Sequence, residues 1–137
     1  MINESDIYKA GGIIISGRRL LVERSKGKDF FIAPGGSVEA DESPKQALIR
    51  ELMEEFQIKV NEHDLKFFGA FEAPAAGQEH KKVKMDIFIV KKWIGEPRAD
   101  NEVEEIKWIS SNPHGIKIGS IFEHEVLPRL KSMNLID

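Results

Sequence analysis

Apolar residues fall in short runs along this chain, and the spacing within each run separates strands from helices. Residues 7–15 are rich in β-formers and predict a first strand. Gly17, Arg18 and Arg19 read as a turn, and 20–24 as a second strand, so the two form a hairpin. Residues 25–29 are a polar loop. A short apolar segment, 30–33, stops at Pro34-Gly35-Gly36. Ser43 is a candidate N-cap and Pro44 occupies the first helical position, where proline is favoured, so a helix is expected from Pro44 to about Phe56. Strands follow at 65–72, 83–93 and 105–109. The tail, 120–132, reads as a closing helix that carries Pro128 inside it, a residue that disturbs a regular helix. This order of elements predicts an α+β fold of one domain spanning 1–137, with helices packed on a mixed sheet.

The helix after the Pro-Gly-Gly loop carries unusual charge. At about 100° per residue, Glu51, Glu54 and Glu55 share one side. Ile49, Leu52, Met53 and Phe56 fall on the other, which is the expected packing face. Glu51 and Glu55 form a like-charge pair at i,i+4, where opposite charges are the stabilising arrangement. A divalent cation relieves such crowding, and oxygen-only donors suit Mg²⁺ or Mn²⁺. A merely solvated acidic face is the plainer account of three glutamates alone.

The preceding loop bears on that choice. Gly35-Gly36 allows close backbone approach. Glu42 adds a carboxylate just before the helix, and Arg50 lies beside the cluster with a fork suited to carboxylates. Each feature has an ordinary reading by itself: a turn, an N-terminal helix charge, a surface cation.

Taken together they resemble the Nudix box. The order is Gly36, five residues, Glu42, seven residues, then Arg50-Glu51-Leu52-Met53-Glu54-Glu55-Phe56-Gln57-Ile58. Eight of the box's nine specified positions are present across 23 residues. The departure is Gln57, where the family has glycine. That position ends the helix, and a left-handed conformation there costs a non-glycine residue about 1–2 kcal/mol.

The resemblance implies a Nudix-type α/β/α sandwich, with a mixed sheet between helices. It implies hydrolysis of a phosphoanhydride in a nucleoside diphosphate linked to another moiety: a modified dNTP, ADP-ribose or a nucleotide sugar. Glu51, Glu54 and Glu55 would hold Mg²⁺ (or Mn²⁺), helped by the backbone carbonyl of Gly35, and Arg50 would orient the carboxylates. The ion would neutralise phosphate oxygens and lower the pKa of a bound water. Downstream, Glu102 lies six residues before Trp108 and looks like a segment that supplies a further metal or base carboxylate, although Glu104 and Glu105 leave its register open. Glu51, Glu54 and Glu102 all remain candidates for the general base.

Composition narrows the alternatives. With no cysteine among 137 residues, disulfides, thiolate metal sites and cysteine nucleophiles are excluded, and the resemblance disfavours the isomerase branch of the same family, which relies on a cysteine. A net charge of −3 argues against a polymeric nucleic acid partner. The start of the chain does not resemble a secretory signal and no apolar run is long enough to span a bilayer, so a cytoplasmic protein without a membrane partner, monomeric or homodimeric, is expected. Arg24 and Lys28 flank the loop before the box and are candidates to meet phosphate, and Phe31 or Phe30 to stack on a base. The four histidines have no ligand-like spacing. The rival from another class is a nucleotide-sensing domain without catalysis, which is at odds with the retained carboxylates.

Overall fold

The computed structural model describes residues 6–75 and 78–137. Strands β1 (Ile7–Ile13), β2 (Ile15–Ser16), β3 (Arg19–Ser25) and β4 (Gly35–Ser37) precede helix α1 (Pro44–Phe56). Strands β5 (Leu65–Ala75), β6 (Gln78–Val90) and β7 (Val103–Ile109) follow. The C-terminal helix runs over 120–132, with a π-helical stretch at Phe122–Val126 and α2 at Leu127–Ser132. The pairing makes two sheets. One is mixed, in the order β4-β1-β6-β5, with β1 and β6 parallel; the other is antiparallel, in the order β2-β3-β7.

Local chemistry explains the boundaries. Gly17 and Arg18 both have positive φ, at 57° and 62°, the geometry of a two-residue turn whose twist matches a hairpin. Arg18 is held in that conformation by its own side chain, which donates to Asp137 Oδ1 at 2.6 Å and Asn134 Oδ1 at 2.8 Å. Ser43 and Gln46 cap α1 reciprocally: the Ser43 hydroxyl accepts from the Gln46 N–H, and the Gln46 side chain accepts from the Ser43 N–H. Pro128 is accommodated because the turns just before it widen, the Leu127 N–H reaching back to the Phe122 carbonyl.

Strand alternation divides the core in two. Ile13, Leu20, Val22 and Ile87 pack with Phe122, Val126, Leu127 and Leu130 of the C-terminal helix. Their neighbours Ile14, Leu21 and Phe88 pack with Ala47, Leu48, Leu52 and Phe56 of α1. The sheets therefore lie between two helices. Each fully buried leucine or phenylalanine contributes about 1.5–3 kcal/mol. Among the described residues, no helix is long and apolar enough to cross a membrane.

The packing face of α1 differs from the one expected. Met53 is 47% exposed, and the buried residues are Ala47, Leu48, Leu52 and Phe56. Glu51 lies one turn beyond Ala47, and Glu55 two turns beyond Leu48, so both fall on the rim of the buried stripe. Glu54 points outward. The helix has rolled so that two of its three carboxylates turn toward the sheet.

Candidate active site

The Pro-Gly-Gly loop places strand β4 against β1, with Gly35 opposite Gly11 and Gly36 opposite Ala10. Gly35 has φ 143°, and a side chain there would overlap the Ala10 carbonyl oxygen. A Cβ on Gly36 would come within 2.5 Å of the Glu51 carboxyl carbon. Any side chain at Gly36 would displace the Glu51 carboxylate, which fills the space above it.

Arg50 ties this loop to the helix. Its Nε and Nη2 grip both oxygens of Glu42 at 2.7 and 2.8 Å, Nη1 donates to Glu51 Oε1 at 2.7 Å, and Nη2 also reaches the Ser37 carbonyl at 3.1 Å. Glu54 lies 3.5 Å from the same guanidinium. This forked grip holds the Glu42 carboxyl at about 2, well below its ordinary range, with a backbone N–H from Glu39 assisting. Glu42 and Arg50 are structural members of the loop–helix junction.

The remaining carboxylates are less compensated. Burial pushes Glu51 upward against the opposing pull of Arg50. Burial also raises Glu55, and the charges of Glu51, Glu54, Glu102 and Asp100 add to it. Glu102 is therefore within electrostatic reach of the helix, although exposed. Its loop is fastened to the C-terminal end of α1: the Asp100 N–H donates to the Glu55 carbonyl at 3.0 Å, and Asn101 Nδ2 to the Glu54 carbonyl at 2.6 Å. Gln57 ends the helix with φ 57° and ψ 34°, the left-handed conformation that glycine usually occupies.

One acidic residue was not singled out from the sequence. Glu23, on β3, is only 3% exposed. It follows Leu20, Leu21 and Val22, and the parity it shares with Leu21 turns it toward α1. The available signal was an acid at the same strand parity as Leu21, directly after the apolar run Leu20-Leu21-Val22.

Of the residues suggested for substrate, Arg24 is engaged by Glu105 at 3.0 Å and by the Lys28 carbonyl at 3.0 Å. Lys28 is exposed. Phe31 is buried in the core, with Lys107 5.9 Å from its ring centre. Its neighbour Phe30 instead lines a cavity of about 260 Å³, with Lys9, Ile32, Met85 and Phe122. Gly35 and Gly36 form part of the same wall, so this mostly apolar cavity adjoins the strand beneath Glu51.

A family profile described as NUDIX domain matches residues 8–130. The chain belongs to the Nudix family. It is a Nudix hydrolase, acting on phosphoanhydrides in nucleoside-diphosphate-linked compounds. An 8-oxo-dGTP diphosphatase of Haemophilus influenzae is 37% identical over 111 residues, covering 77% of this chain and 77% of that protein. A dihydroneopterin triphosphate diphosphatase of the same organism is 36% identical over 56 residues, or 41% of this chain and 35% of that protein. Among solved structures, a MutT NUDIX hydrolase from Burkholderia pseudomallei superposes with a TM-score of 0.78 at 18% identity, covering 91% of this chain and 98% of that one.

Nudix hydrolases generally use divalent metal ions, and the donor set here fits one. Its side chains offer oxygen only and its negative charge exceeds the single Arg50 beside it; outside that set, Glu23 leaves Oε2 buried without a hydrogen-bond partner. Among the described residues, no three carboxylates already converge on one point.

Proposed function

We propose that this Nudix hydrolase cleaves a nucleoside triphosphate carrying a modified fused-ring base, of the 8-oxo-dGTP kind, with Mg²⁺ as its cofactor. One observation carries the reading. Gly36 belongs at once to the wall of the apolar cavity and to the surface covered by the Glu51 carboxylate. A base in the cavity thereby leads its phosphates past Gly35 and Gly36 to the carboxylates of α1. The cavity volume of about 260 Å³ suits one base with part of its sugar; pockets for larger ligands run to roughly 300–1,000 Å³. The two curated relatives described above are named for triphosphates with fused two-ring bases.

In this reading, Glu51, Glu54 and Glu55, with the Gly35 carbonyl, would hold the ion, joined by Glu102 from the loop fastened to the end of α1. Arg50 keeps Glu51 over Gly36 through its grip on Glu42. Phe30 provides the stacking surface. Bound Mg²⁺ supplies charge neutralisation at the phosphates and an acidified water. Glu51, Glu54 and Glu102 stay open as the base, since a base is identified by its reach to the attacking water.

Turnover against a panel of 8-oxo-dGTP, dGTP, dihydroneopterin triphosphate, ADP-ribose and UDP-glucose, with Mg²⁺, tests the proposal. The expected result is highest kcat/KM on a modified purine or pterin triphosphate, with pyrophosphate released. Preference for ADP-ribose or UDP-glucose overturns it.

A further inference from the structure

Glu23 has no place in the mechanism above, yet it is the only buried charged residue among those described. Its backbone is fully used: the N–H donates to the Ile32 carbonyl at 2.9 Å, and the carbonyl accepts from the Ile32 N–H at 2.7 Å. Its side chain is not. Oε2 is buried without a partner, a state that buried polar atoms rarely occupy in a native fold. The residue cannot turn to water without breaking strand parity, because Leu21 and Glu23 share the face that α1 covers.

What lies above that face is the inward rim of the helix. Burial, together with the charges of Glu55 and Glu51, pushes the Glu23 carboxyl up to about 8, while Lys9 pulls weakly the other way. Glu55 and Glu51 are thus the acidic groups whose charge reaches Glu23, and Arg50, bonded to Glu51 and Glu42, is not among the groups that relieve it. A solvated acidic face does not produce this arrangement, since Glu23 is out of reach of solvent. A purely structural residue at this position would be expected to be apolar, as Leu20, Leu21 and Val22 are.

We propose that Glu23 is a further ligand of the divalent cation, so that the ion takes donors from β3 under the helix as well as from α1 and its preceding loop. This deepens the metal site proposed above and rests on it. The roll of α1 turns Glu51 and Glu55 toward the sheet face that carries Glu23 and leaves Glu54 outside.

The test is Mn²⁺ binding to the full chain, followed by the EPR signal of free Mn²⁺, with melting curves in EDTA alongside. Glu23→Gln keeps the shape and removes the charge. We expect it to melt at or above the wild type in EDTA and to bind Mn²⁺ at least about tenfold more weakly, the scale on which changes around a metal site lower affinity. A merely structural role would move the melting temperature and leave Mn²⁺ affinity alone, and that result overturns the inference. If Glu23→Gln does not fold, Glu23→Met, similar in length and without a polar atom, answers the same question. Glu54→Gln is the control. If wild type binds Mn²⁺ and Glu54→Gln weakens it but Glu23→Gln does not, the inference alone falls. If wild type binds no Mn²⁺, the metal site itself falls, and the inference with it.

Discussion

The Gln57 side-chain amide donates to Asp100 Oδ2 across 2.6 Å, joining the end of α1 to the loop that carries Glu102. The residue that replaces the family's glycine therefore does two opposed things. Its backbone is strained at φ 57°, while its side chain fastens a loop that is also held by the Glu55 and Glu54 carbonyls.

This sets the outcome of substitution at 57. Glycine relieves a steric cost of about 1–2 kcal/mol but adds about 0.4–1 kcal/mol of unfolded-state freedom. It also loses the exposed amide–carboxylate bond, which contributes little in water. Gln57→Gly should melt within a few degrees of the wild type. Gln57→Ala loses the same bond and keeps the strain, so it should be less stable than the glycine variant by about 1 kcal/mol. Urea denaturation of the two variants checks the order, and an alanine variant as stable as the glycine one contradicts a left-handed Gln57.

The start of α1 was legible because its signals, Ser43 and Pro44, are local; the structure adds Gln46, which completes the cap within the same turn. The turn of the hairpin was legible for the same reason, through Gly17 and Arg18, but the strand read as 7–15 divides: Ile7–Ile13 pairs in the other sheet, and only Ile15–Ser16 pairs with β3 across the turn. The spacing of Gly36, Glu42, Arg50 and Glu51 was readable as a pattern, and the structure supplies its cause: these four residues form one junction of β4 with α1. The roll of α1 was not legible. Counting apolar residues placed Met53 inside, but the sheet takes Ala47 and Leu48 instead, and this turns Glu51 and Glu55 inward. The choice between Phe30 and Phe31 depends on parity, which is set by the contacts of Ile32 with Glu23 and of Phe31 with Ile118. Both are long-range pairings that no window of sequence contains.

Glu54 and Glu55 should now part company in stability. Glu54 is 49% exposed, so Glu54→Gln should leave the metal-free melting temperature nearly unchanged. Glu55 is pushed up by burial and four acidic neighbours, so Glu55→Gln should raise it. Both variants should lose about a hundredfold in kcat at saturating Mg²⁺, roughly 2.7 kcal/mol of transition-state stabilisation. Calorimetry in EDTA and initial rates in Mg²⁺ separate the two effects. A near-normal rate for either variant removes that residue from the ligand set.

Arg50→Lys should damage the junction although it keeps the charge. Lysine presents one compact ammonium and cannot reproduce the two-oxygen grip on Glu42 while also holding Glu51 and the Ser37 carbonyl. The variant should melt several degrees lower, and its kcat should fall as Glu51 loses its hold over Gly36. The Glu42 carboxyl should also titrate upward from about 2 toward its ordinary range, since Arg50 is the main cause of its depression. Carbon-13 NMR of the glutamate carboxyls follows that shift directly. An unchanged Glu42 titration would show that the backbone N–H of Glu39 suffices.

Metal-free protein should lose stability as pH rises through neutrality. Glu23 titrates near 8 in the folded chain against 4.5 as its ordinary value, and Glu51 and Glu55 are displaced in the same direction. Between those limits the folded state binds more protons than the unfolded one, so the stability these groups contribute is present at low pH and disappears as pH climbs through the folded values. Glu42 acts oppositely: its contribution is present above its ordinary pKa and is lost as pH falls toward 2. The two trends place the metal-free optimum on the acid side of neutrality, above the range where Glu42 is protonated. Melting curves in EDTA from pH 4 to pH 9 should therefore peak below pH 7. A bound divalent cation competes with protons for the same oxygens, so saturating Mg²⁺ should move the peak to higher pH. An EDTA profile that climbs steadily to pH 8 would mean that Glu23, Glu51 and Glu55 are not crowded together in the folded chain.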